Sequence, residues 1–137
     1  MRTQHDPSTT TILVVDDEPD VLASVTDALQ LFGYVVVGST DPREALQIAR
    51  THTTPIRLIL TDVVMPFMNG PDLAEHVRRL TPDIKILFMS AFTTEAVADS
   101  GVSLPPGVPL LVKPFNMNQL AERIRTTLEY RSPFSRP

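Results

Sequence analysis

The feature that most constrains this chain is a fivefold alternation of short aliphatic runs with amphipathic segments. The runs are TILVV (11–15), YVVVGS (34–39), IRLILT (56–61), IKILFMS (84–90) and VPLLV (108–112). Each has the length of one strand, and unbroken aliphatic character suits strands buried on both faces of a parallel sheet. Helical patterns fill the gaps. Val21, Leu22, Val25, Ala28 and Leu29 form one apolar stripe, closed by Phe32-Gly33 as a C-cap signal. Asp41-Pro42-Arg43-Glu44 offers an N-cap, a proline at the first helical position and an acid three residues after the cap. Gly70-Pro71 opens a helix carrying Leu73, Ala74, Val77 and Leu80, and Asn116 starts a last one with Leu120, Ile124 and Leu128. TTEAVADSG (93–101) predicts only two turns, because SLPPGVP (103–109) then forces an extended connection.

Such alternation requires crossover connections, which are right-handed, and predicts an α/β fold with a doubly wound five-stranded parallel sheet and helices on both faces. The expected organisation is a disordered N-terminal tail over 1–9, one domain over 10–131 and a frayed C-terminal tail over 132–137. Ligands of such folds bind beyond the carboxyl ends of the strands, where strand order reverses.

That rule makes the strand ends the place to look for chemistry. ILVVDDEP (12–19) runs a buried strand straight into Asp16, Asp17 and Glu18. The third run ends at Asp62, the fourth at Ser90 and the fifth at Lys113, while the second ends at Ser39-Thr40. Adjacent acids raise each other's pKa and destabilise the fold unless a cation lies between them. Three carboxylates without a nearby His or Cys favour a hard, oxygen-preferring cation, Mg²⁺ before Zn²⁺. A lysine and a serine hydroxyl beside them suit phosphoryl oxygens, and an Asp can attack phosphorus to form an aspartyl phosphate.

Composition excludes several other classes. A net charge of −4 with pI near 5.2 argues against a broad nucleic-acid-binding surface. The absence of cysteine removes disulfides, thiolate metal sites and thiol nucleophiles together. The apolar runs are far short of the roughly 20 residues that span a bilayer, and MRTQHDPSTT has no apolar core of a signal peptide, so the expected location is cytoplasmic, with no membrane partner.

With these motifs in order, residues 9 to 130 resemble a response regulator receiver domain of two-component signalling. The resemblance rests on VVDDEP (14–19), LILTDVVMPFMNG (58–70), FMSAF (88–92) and VKPF (112–115). It implies a flavodoxin-like strand order 2-1-3-4-5 and Asp62 as the phosphoacceptor. It implies a Mg²⁺ ion, with Mn²⁺ as a substitute, held by Asp17 directly, Asp16 through water, Asp62 and the backbone carbonyl of Val64. Ser90 and Lys113 would bind the phosphoryl group, and the Lys113-Pro114 bond would be cis. The implied partner is a sensor histidine kinase or a histidine phosphotransfer protein, with homodimerisation expected through the face of the fourth helix, fifth strand and fifth helix. The domain would catalyse only its own phosphorylation and dephosphorylation, so it is not expected to be an enzyme.

Taken singly, these residues have plainer readings. Asp16-Asp17-Glu18 before Pro19 also describes a solvated helix start, to which Glu18 is assigned. Asp62 alone is a turn residue, Lys113 a surface lysine, and Met65, Phe67 and Met68 are loop packing, with Asn69 and Gly70 supplying a turn and helix start. His76 to Pro82 faintly resembles the histidine box of sensor kinases, but lacks the acid after the histidine and lies on a helix that serves the core. Two features depart from the receiver pattern. Leu110 stands where receivers carry a switching aromatic, three residues before the lysine, and this is a similarity to receivers attached to hybrid sensor kinases. Val64 and Phe92, two residues beyond Asp62 and Ser90, cannot hydrogen-bond an attacking water, which predicts slow dephosphorylation. The competing functions are a phosphohydrolase of the haloacid-dehalogenase type and a receiver-like scaffold that works without phosphorylation. Val64 opposes the first, since it occupies the place of that class's second acid. The acidic set with Lys113 opposes the second.

Overall fold

The computed structural model describes residues 7–129; the tail expected over 132–137 and the first residues of the N-terminal one lie outside them. Five strands alternate with five helices: β1 (Thr11–Val15), α1 (Pro19–Leu31), β2 (Val35–Ser39), α2 (Pro42–Thr51), β3 (Ile56–Asp62), α3 (Gly70–Leu80), β4 (Lys85–Ser90), α4 (Thr94–Asp99), β5 (Leu110–Val112) and α5 (Met117–Glu129). The strands form one parallel sheet in the order β2-β1-β3-β4-β5, as the alternation and the resemblance together predict. Order reverses between β1 and β3, so the crevice at their carboxyl ends is the ligand position of this topology.

Burial explains why the runs are aliphatic throughout. Ile12, Val14, Leu58, Leu60, Leu87 and Met89 pack on one face with Leu29 of α1 and Leu120 and Ile124 of α5. Leu13, Val15 and Ile59 point to the other face and meet Ala45 of α2 and Leu73 and Val77 of α3. A smaller cluster of Val63, Ala74, Phe88 and Val97 seats α4. Each fully buried Leu or Ile contributes about 1.5–3 kcal/mol over an exposed one, so both sheet faces are needed to hold β1 and β3 in place.

Local signals set the helix limits. Gly33 adopts φ 98 and donates to the Gln30 carbonyl, while the Tyr34 N–H reaches the Leu29 carbonyl, a Schellman closure of α1 that only glycine makes without strain. Asp41 caps α2 by accepting from the Arg43 N–H at 2.8 Å. Glu44 does not complete the capping box its spacing suggests. Its carboxylate accepts from the Ser39 hydroxyl at 2.5 Å, and Ser39 Oγ accepts from the Asp41 N–H at 3.0 Å. The β2 end therefore relays the cap.

Two sequence expectations shift and one holds. Pro7–Thr9 forms a turn of 3-10 helix, with the Thr10 N–H on the Pro7 carbonyl at 3.0 Å, where a disordered tail was expected. Strand β5 starts at Leu110 rather than Val108, because Pro109 has no N–H to give the ladder. The fourth helix is the short one predicted, six residues capped by the Thr93 hydroxyl.

Candidate functional site

Asp16 follows the last residue of β1 and Asp62 is the last residue of β3, neighbours at the point where strand order reverses. Asp16 is fully buried and Asp62 nearly so; Asp17 is the most open of the three acids. Each offers a carboxylate oxygen, and these oxygens lie within 4.8 Å of one another. Lys113, just past β5, crosses from the far side of the sheet: its Nζ lies 2.7 Å from Asp16 Oδ2 and 3.4 Å from Asp62 Oδ2. The Lys113-Pro114 peptide is cis.

Backbone contacts fix the acids. Asp16 Oδ1 accepts from the Glu18 N–H at 2.9 Å, and Asp62 Oδ1 accepts from the Val63 N–H at 2.9 Å. Burial pushes the Asp62 carboxyl up to about 6 against the pull of Lys113, and the Asp16 charge adds to the push. Burial alone would lower Lys113, but its hydrogen bond to Asp16 and the charges of Asp62 and Asp16 outweigh that and hold the ammonium raised. The crevice thus keeps an excess of negative charge around one ammonium. Donors that are all carboxylate oxygens suit a hard divalent cation such as Mg²⁺, and the clustered acids give it a reason to bind.

Ser90 ends β4, buried, with Oγ accepting from the Phe92 N–H at 2.9 Å; its carbonyl accepts from the Lys113 N–H at 2.7 Å, which ties the β4 and β5 ends together. Val64 and Phe92 stand 48% and 56% exposed, on the loops that follow Asp62 and Ser90. Leu110 is partly buried and packs against the cluster of Val63, Ala74, Phe88 and Val97. Glu18 occupies the N-cap position of α1 without a capping side-chain bond, and its carboxylate lies 3.7 Å from Lys113 Nζ. The acid assigned to the helix start thus also faces the ammonium.

Two residues between Asp62 and the first turn of α3 have roles that sequence reasoning missed. Gly70 packs so tightly against β3 that a Cβ there would lie 2.2 Å from the Asp62 carbonyl oxygen. Its N–H donates to the Val63 carbonyl at 2.7 Å, so the start of α3 is fastened to the backbone directly after Asp62. Its position after Asn69 read as a turn and helix start, which α3 bears out but which gave no sign of this approach. Phe67, expected to pack within the loop, is 73% exposed. It sits at φ 75, at the centre of a three-residue turn closed by the Met68 N–H on the Pro66 carbonyl at 2.9 Å. A non-glycine residue in that region costs about 1–2 kcal/mol. The Arg43 guanidinium lies 3.7 Å from the Phe67 ring centroid, a contact worth about 0.5–1 kcal/mol at an exposed site. Met65 and Met68 do pack inward, against Leu13, Ile59 and Leu73.

No helix among the described residues is long and apolar enough to cross a membrane. The family model for the response regulator receiver domain matches residues 12–125. The sensor kinase CckA of Brucella abortus (strain 2308) is 37% identical over 121 residues, 87% of this chain but 12% of that kinase. The response regulator receiver protein CpdR of the same organism is 32% identical over 117 residues, 85% of this chain and 95% of the relative. The chain is also similar in structure to the crystallised receiver domain of the hybrid histidine kinase CckA, with a TM-score of 0.72, 33% identity, and coverage of 86% of this chain and 98% of that one.

Proposed function

The chain belongs to the response regulator receiver domain family of two-component signalling, and from that premise we propose that it accepts a phosphoryl group on Asp62 from a partner's phosphohistidine. The observation that carries the proposal is the convergence of Asp16, Asp17, Asp62 and Lys113 on one crevice at the strand ends. The donor would be a sensor histidine kinase or a histidine phosphotransfer protein, and the exchange would take place in the cytoplasm.

An Asp62 carboxylate oxygen attacks phosphorus opposite the P–N bond. The O–P bond forms as the P–N bond breaks, and the histidine imidazole leaves with that electron pair and takes up a proton. Asp16, Asp17, Asp62 and the Val64 carbonyl would hold Mg²⁺, or Mn²⁺ in its place. Bound there, the ion would offset the negative charge of the carboxylates and of the transferring oxygens. Lys113 exchanges its carboxylate partners for a phosphoryl oxygen, and the Ser90 hydroxyl donates to another. Burial of Asp62 keeps water from competing with the donor. Turnover of a separate substrate is not part of this role, because the product stays on the protein.

Phosphotransfer from a labelled histidine phosphotransfer protein tests the reading directly. Label should move to the chain in the presence of Mg²⁺, and Asp62→Asn should abolish the transfer. Label that moves equally well to Asp62→Asn would contradict it, as would rapid release of phosphate from simple monoesters, which is the mark of a hydrolase.

A further inference from the structure

We propose that Arg43 and Phe67 form a clasp that positions the loop behind Asp62 for metal binding, a role that rests on the metal site proposed above. The segment from Val63 to Asn69 carries the Val64 carbonyl and leads from the acceptor aspartate into α3. Its first half is anchored: the Val63 N–H donates to the Met89 carbonyl at 3.1 Å, and the Met65 side chain is buried between α2, α3 and the sheet. Its second half, Pro66 to Met68, is held in the strained turn centred on Phe67. A turn of that kind relaxes unless its surroundings hold it.

What holds it comes from another element. Arg43 lies in the first turn of α2, and its guanidinium is fixed by Asp41, with Nε 3.1 Å from Oδ1 and a terminal nitrogen 2.9 Å from Oδ2. Thus oriented, the flat cation covers the Phe67 ring at 3.7 Å. Asp41 therefore caps α2 and aims the arginine at once. Phe67 has a mostly exposed ring and gains little from the core, so ring stacking is the contact that favours an aromatic at this left-handed position. Stacking offsets about half of the strain, so removing it tips the turn toward relaxing. That swing pulls on Pro66, Met65 and the Val64 peptide, because they are consecutive in the chain.

Calorimetric titration of the whole chain with Mn²⁺ tests the clasp, with thermal melting of each metal-free variant alongside. Phe67→Leu keeps a bulky side chain in the strained turn but offers no aromatic face, and Arg43→Gln removes the cation. Each should weaken Mn²⁺ binding by about fivefold, whereas Phe67→Tyr should stay within about twofold of the parent. Melting of the metal-free chain should change little in any of them, which separates positioning from a general loss of stability. Leucine and glutamine variants that bind Mn²⁺ like the parent would overturn the clasp and leave the metal site standing. Loss of affinity that follows a matching loss of melting temperature would also overturn it. A parent chain that takes up no metal would overturn the metal site and the clasp together.

Discussion

At the residue scale, Asp62 combines burial with a proposed phosphoacceptor role that needs its charge. Its carboxyl stands near 6 in the folded chain against 3.8 for an unperturbed one, so the folded state holds the proton more tightly. Its contribution to metal-free stability is therefore present at low pH and lost as pH rises through about 6. At pH 8 without metal, Asp62→Asn should stabilise the chain by on the order of 1 kcal/mol, and the gain should vanish near pH 4; denaturant melts at the two pH values check this. Metal binding runs the other way, because protonated Asp62 is a poor ligand: Mg²⁺ affinity should fall as pH drops below about 6. Gly70→Ala should cost about 1–3 kcal/mol and slow phosphorylation, since the new methyl would displace the Asp62 backbone. A variant that melts and reacts like the parent would refute that contact. Val64 and Phe92 offer no hydrogen bond to an attacking water, so the phosphorylated chain should last minutes or longer in Mg²⁺; Val64→Glu should shorten that lifetime, as followed by the decay of intact mass. The acids were legible because each lies at or just past the end of a strand. The tight approach of Gly70 and the stacking of Arg43 on Phe67 were not, because they depend on how close distant segments pack, which neither pattern nor spacing encodes.

At the scale of elements, the local signals were read where they act within a few residues. Asn116 and Gln119 exchange backbone N–H bonds at 2.8 and 2.9 Å, a reciprocal cap at the start of α5, and Asn69 accepts from the Asp72 N–H at 2.8 Å. Asn116→Ala should therefore destabilise the chain by about 1 kcal/mol in a denaturant melt. Signals that compete with tertiary partners were misread, as with Glu44, which prefers the Ser39 hydroxyl to its own helix cap. Strand β5 and helix α4 are both short, and Leu110 packs beneath α4 where receivers carry an aromatic. A leucine wedged with Phe88 and Val97 has no ring to swing between exposed and buried positions. Phosphorylation should then alter amide exchange mostly in the loops after Asp62 and Ser90, with α4 and β5 little changed. Broad deprotection of α4 and β5 would show that Leu110 switches after all.

At the scale of the whole molecule, alternation of strand and helix was enough to predict the doubly wound sheet, and the strand order followed from the family resemblance. That order places Asp16 and Asp62 on neighbouring strands and brings Lys113 in from the far edge. The strand-end reading put Lys113 with the acids, and the fold adds the contact itself, with its Nζ 2.7 Å from Asp16 Oδ2. That reading assigned Glu18 to the helix start, where the fold places it as the N-cap of α1, but did not show that its carboxylate also lies 3.7 Å from the same ammonium. The proposal that draws these placements together is that Asp62 is a metal-dependent phosphoacceptor. Intact mass spectrometry after incubation with Mg²⁺ and a small acyl phosphate tests it most directly. The account predicts one added phosphoryl group, lost on chelation of the metal before donor is added and absent in Asp62→Asn; an unmodified chain, or an adduct that persists in Asp62→Asn, would contradict it.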